Sequence, residues 1–169
     1  GEFAGFRAIR LLILTLQTVQ SLASDAESAS RGYAITGDQL FLVSYVRATA
    51  LIRGQLDSLR TLISTDTLQA GQHQRLTTLV DQRLEVAKSL VDTRTSEGFE
   101  AARAIVESGS GRRLQEAIRE TVSEMSATAR GLYQHRATQT ERTTLITKLI
   151  VGLGPPVEAA AELLWAEGP

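Results

Sequence analysis

Proline is absent from the first 154 residues of this chain and then occurs at Pro155, Pro156 and Pro169. A sequence that never removes a backbone donor over such a length, and that carries apolar residues at alternating steps of three and four, is restricted to helices packed on helices. The first such stripe is Ile9, Leu12, Leu16, Val19, Ala23, Ala26 and Ser30, within a helix expected over about 6–35. Its side chains shrink from Leu and Val to Ala and Ser, so a neighbouring helix can come closer towards its far end.

Three further long helices follow from the same periodicity. The second is expected from Asp38 to about Thr65, with Leu42, Tyr45, Thr49, Ile52, Leu56, Leu59 and Ile63 turned inward. Asp38 is placed to accept from the free N–H groups of the first turn, and Gly37 suits the reversal before it. Ser64-Thr65-Asp66-Thr67 reads as a loop and cap. The third helix is expected over about 68–95, with Leu76, Val80, Arg83, Ala87, Leu90 and Arg94 on one track. A short helix is expected over about 96–107, begun by Ser96-Glu97-Gly98 and ended by Ser108-Gly109-Ser110-Gly111. The last long helix is expected over about 112–150, with Leu114, Ile118, Val122, Met125, Ala129, Leu132, Arg136, Gln139, Thr143 and Ile146 in register. The fold class is all-α: an elongated up-down four-helix bundle with a short extra helix between the third and fourth long helices. Such a bundle brings both chain ends to one pole and the Thr36-Gly37-Asp38 corner and the 96–111 segment to the other. The domain is read as 6–150, followed by an extension over 151–169 that is either a short helix or a non-native tail.

Composition removes several function classes. With 18 basic and 19 acidic residues there is no basic stripe to track a phosphate backbone, so no nucleic-acid partner is expected. The chain has no cysteine, which excludes thiol chemistry and thiolate metal sites. Its longest purely aliphatic run, Leu11-Leu12-Ile13-Leu14, is far short of a bilayer span. His73 and His135 lack the Glu-x-x-His spacing of di-metal bundles, Asp25 and Glu27 point in different helical directions, and no phosphate loop or nucleophile elbow occurs. Neither catalytic residues nor cofactor or metal ligands are assigned.

The chain's chemistry gathers at one corner. Glu27 and Arg31 are spaced for an i,i+4 ion pair. Gly32 permits close approach of another helix, and Tyr33 can pack while its hydroxyl stays bonded. These residues are read mainly as fixing the corner and the geometry between helices; the alternative is that some of them also touch a ligand. The polar residues on inward tracks, Thr49, Arg83, Arg94, Arg136 and Gln139, are read as a solvated seam whose arginines reach outward to water. The alternative is a bundle kept marginal so that its helices can move.

The run Asp25-x-Glu27-x3-Arg31-Gly32-Tyr33-x2-Thr36-Gly37-Asp38-x2-Phe41-Leu42-x2-Tyr45 resembles the signature of CHASE3 domains. Glu97-Gly98-Phe99-Glu100-Ala101-Ala102, then Ser108-Gly109-x-Gly111-Arg112 and Ile118-Arg119, resembles that family's second region. The resemblance covers roughly 15–145. It implies an extracytoplasmic sensory module, held between membrane helices of a bacterial receptor such as a sensor histidine kinase, and working as a homodimer. The parent protein is then membrane-anchored, and the stimulus is an unidentified small molecule or protein. The motif positions are carried over as signature or structural residues: Asp25, Glu27, Arg31, Gly32, Tyr33, Thr36, Gly37, Asp38, Phe41, Tyr45, Glu97, Gly98, Gly109, Gly111 and Arg112. The alternatives are a protein-interaction domain presenting the short helix and a passive dimerising spacer. A helical metalloenzyme is more distant.

Overall fold

The computed structural model describes the backbone over 2–63 and 67–152, and side chains over 4–63 and 67–149. The described residues form helices α1 (Glu2–Thr36), α2 (Gln39–Leu62), α3 (Thr67–Ser96), α4 (Phe99–Glu107) and α5 (Ser110–Gly152), with no strand. The expected cap around Ser64, Thr65 and Asp66 and the extension over 153–169 lie outside the described residues. The chain divides into two compact units, 1–130 and 131–169.

In the first unit, α1 to α4 and the start of α5 form an up-down bundle. Cross-helix pairs give its directions. Glu27 and Tyr33 on α1 meet Arg83 and Thr95 on α3, so those two helices run parallel. Arg75 and Gln72 on α3 meet Glu124 and Thr128 on α5, which runs antiparallel. Arg53 on α2 pairs with Asp81 on α3, and the Gln115 side chain of α5 donates to the Gln20 carbonyl of α1.

The core follows the inward stripes. Leu16, Val19 and Ala23 of α1, Ile52 and Leu59 of α2, Leu76 and Val80 of α3, and Ile118 of α5 have no exposed surface. Each of these Leu, Ile and Val side chains contributes about 1.5–3 kcal/mol through burial, and the Ala23 methyl less. On α2, Ala48 is buried and Thr49 half-buried, so the stripe turns slightly from its expected track. On α5 the buried positions end at Ala129, whereas Arg136, Gln139 and Thr143 are exposed.

A second, smaller cluster of Ala34, Leu90 and Ala102, with Ile105 and Val106 against it, ties α4 to the ends of α1 and α3. Three glycines, Gly37, Gly98 and Gly109, have positive φ and make the turns there. Gly109 ends its turn early enough for α5 to start at Ser110 rather than Arg112.

In the second unit α5 continues as a helix to Gly152, where Leu145, Ile146 and Leu149 are more than half exposed. No helix among the described residues is long and apolar enough to cross a membrane.

Candidate functional site at the α4 end of the bundle

The small-residue stretch of α1 faces the polar half of the α3 stripe, and a charge fills the space. Arg83 is 2 % exposed, and its Nη2 lies 3.1 Å from Glu27 Oε1. The expected Arg31–Glu27 pair is also present, at 3.6 Å, but Arg31 is exposed. Arg83 therefore does not reach outward to water; this corrects the solvated-seam reading. It stays buried because a carboxylate on the adjacent helix neutralises it and Gly111 leaves room for its guanidinium. A Cβ at Gly111 would sit 3.1–3.3 Å from Arg83 Nη1, Cζ and Nη2. Arg83 Nε is buried without a hydrogen-bond partner.

Arg94 likewise turns inward. Its Nε donates to the Ala34 carbonyl at 2.8 Å, satisfying one of the free acceptors in the last turn of α1. Ser30 is buried and its hydroxyl donates to the Glu27 carbonyl at 2.9 Å.

The signature residues divide by role. Gly32 is where α2 crosses α1: a Cβ there would lie 2.9 Å from Phe41 Cγ and closer still to Cδ1 and Cε1 of the same ring. Tyr33 is buried with its hydroxyl 3.0 Å from Thr95 Oγ1. The Thr95 proton goes to the Val91 carbonyl, so Tyr33 is the donor.

Thr36 Oγ1 donates to the Gly32 carbonyl and accepts from the Asp38 N–H, while Asp38 Oδ1 accepts from the Leu40 N–H at 2.9 Å as the N-cap of α2. Gly37, at φ +71°, donates to the Tyr33 carbonyl. Tyr45 faces α3, where burial first, and then the charge of Asp92, pushes its hydroxyl pKa up. Asp25 and Glu97 are exposed. Gly98 caps the start of α4 at φ +91°.

Glu27, Arg31, Gly109, Gly111 and Arg112 come together with Arg83 around a pocket of about 260 Å³. Its apolar wall is Val86, Ala87 and Leu90 of α3 with Ile105 and Val106 of α4. An open groove of about 720 Å³ between α1 and α5 adjoins it, sharing Glu27, Arg31 and Arg112. Arg83, Arg94 and Thr95 stand outside the set of signature residues. The available signal for Arg83 is a charge on a track otherwise buried, opposite Ala23, Ala26 and Ser30.

His73 bonds the Leu56 carbonyl at 2.9 Å, a seam contact between α2 and α3. Among the described residues no three His, Asp or Glu side chains are grouped to hold a metal ion.

An all-helical bundle whose best-defined polar features are caps, a buried ion pair and a small pocket at one end has the architecture of a helical input module. The CHASE3 domain family matches residues 8–139, and the chain belongs to that family. It is a noncatalytic extracytoplasmic input domain for signalling, of the kind found in dimeric membrane receptor systems. Among solved structures it is similar to the sensor domain of the histidine kinase HK9 from Rhodopseudomonas palustris. The two share 25 % identity and a TM-score of 0.70, and the match covers 75 % of this chain and 98 % of that one. No curated protein matches it in sequence.

Proposed function

We propose that this chain is the input domain of a membrane-anchored sensor histidine kinase, working as a homodimer and passing its signal by displacement of α1 relative to α5. The likeness to a histidine kinase sensor domain along 98 % of that chain carries the assignment of output class. The displacement reading is supported by the α1–α5 seam. There, Gln115 meets the Gln20 carbonyl at 3.5 Å, and its Oε1 is buried without a hydrogen-bond partner. A long hydrogen bond and an unmatched acceptor leave Gln115 incompletely satisfied at this offset, so a second offset that pairs it more fully would recover part of that cost.

Cysteine pairs across α1 and α5 in the full receptor, crosslinked with and without stimulus, test this. A change in the favoured pair with kinase state is expected. Unchanged offsets during full switching of the output would refute displacement, and an inert helical spacer that preserves the response would identify the domain as passive.

A further inference from the structure

Three helices each send one arginine to the same pocket: Arg31 from α1, Arg83 from α3 and Arg112 from α5. Two acidic residues line it, and both are engaged. Glu27 pairs with Arg83 and Arg31, and Glu107 accepts from Arg103 Nε at 2.7 Å. Arg112 has no ion-pair partner among the described residues, and Arg83 Nε is a buried donor without an acceptor. The pocket thus holds more positive charge than its own carboxylates neutralise. Its opposite wall, Val86, Ala87, Leu90, Ile105 and Val106, offers no polar side chain at all.

The geometry points to a binding site for a small organic monocarboxylate, its anion held by Arg31 and Arg112 and its compact apolar body against α3 and α4. Each part of the class has a cause. An arginine fork matches a carboxylate in shape and charge. One face of the pocket is charged and the other aliphatic, which selects an amphiphilic molecule over phosphate or sulfate. A volume of about 260 Å³ admits a body of roughly six to eight carbons, since an apolar cavity of about 150 Å³ already holds benzene. A larger body would run past Arg31 and Arg112 into the adjoining groove, where it would meet the polar side chains of Ser24, Asp25 and Glu116. The site deepens the input-domain reading, because a carboxylate held by both Arg31 and Arg112 ties α1 to α5.

Isothermal titration of the purified chain with hexanoate and with cyclohexanecarboxylate tests binding without any reference to signalling. Saturable binding is expected for at least one acid, with its primary amide at least about tenfold weaker, as loss of a charge-assisted contact requires. Arg112→Gln, at an exposed position, is expected to weaken the acid by about tenfold while leaving the circular dichroism unchanged. Val106→Trp fills the apolar side and is expected to abolish binding in a folded chain.

No saturable binding of either acid up to about 10 mM would overturn the site. So would amides that bind as well as acids, or acids that bind both variants as they bind the parent chain. Binding without any change in α1–α5 crosslinks in the receptor would keep the pocket and defeat displacement. Crosslinks that shift with another stimulus in a chain that binds neither acid would do the reverse.

Discussion

Arg83, with 3 % of its side chain exposed, is held by Glu27, which keeps 19 % of its own. That inequality decides which half of the pair matters more. Removing Glu27 strands a buried guanidinium, whereas removing Arg83 leaves a carboxylate that still reaches water and Arg31. Glu27→Ala is expected to cost about 3–5 kcal/mol in urea unfolding, and Arg83→Met less. The double variant should cost less than the sum of the two. Equal single costs that simply add would show that the pair is not coupled.

Identical glycine substitutions should act in opposite directions on one bundle. At Gly32 the new methyl meets the Phe41 ring, so Gly32→Ala is expected to destabilise by about 1–3 kcal/mol despite better helix propensity. In a Phe41→Leu background the penalty should shrink. Gly54 is exposed within α2, with nothing within 4 Å of an added Cβ, and Gly54→Ala should stabilise by about 0.5–1 kcal/mol. Thermal unfolding of these chains checks both signs.

Arg94 and Gly37 form one device at the end of α1. Arg94 supplies a donor to the Ala34 carbonyl, and Gly37 takes the left-handed turn where an added Cβ would lie only 3.1 Å from Arg94 Nη2. Arg94→Met is expected to cost about 1–2 kcal/mol through the unsatisfied carbonyl. Gly37→Ala should cost a further ~1 kcal/mol from backbone strain alone. Amide exchange should quicken first in the last turn of α1; protection unchanged in both variants would contradict the device.

Tyr45 gives a pH dependence. Its folded-state pKa is raised, chiefly by burial and then by Asp92, so the neutral phenol is the form the fold favours. Its contribution is complete below the ordinary tyrosine value near 10 and is lost as pH rises through the higher folded value. Lys88, raised by its hydrogen bond to Asp92, loses its contribution in the same direction. Tyr45→Phe is therefore expected to flatten the decline of Tm above pH about 10 without removing it. An unaltered slope would mean that the hydroxyl does not sense its burial.

What can be read without the fold divides by the range of the interaction. The α1 stripe from Leu12 to Ser30 is buried as its spacing requires, because helical periodicity is a property of neighbouring residues. The Asp38 cap and the Gly37 turn are equally local. Arg83 defeats a reading from spacing, which sends it outward to water, because its partner lies 56 positions away on a parallel helix. Nothing in either segment announces the offset between them. Arg94 belongs with it: a guanidinium serving a carbonyl of another helix leaves no spacing signature. The buried stripe of α5 stops short of its expected length for a related reason. Its period persists past Ala129, but period alone does not say where the partners stop.

The α4 end of the bundle has its own hydrophobic nucleus of Ala34, Leu90 and Ala102, separate from the long aliphatic core beneath it. Of the nine residues of α4, Ala102, Ile105 and Val106 join this nucleus, so the segment is expected to open in amide exchange at a cost below that of global unfolding. Molecular traffic through this end would then leave the main body intact, and the domain would combine a rigid shaft with a yielding tip.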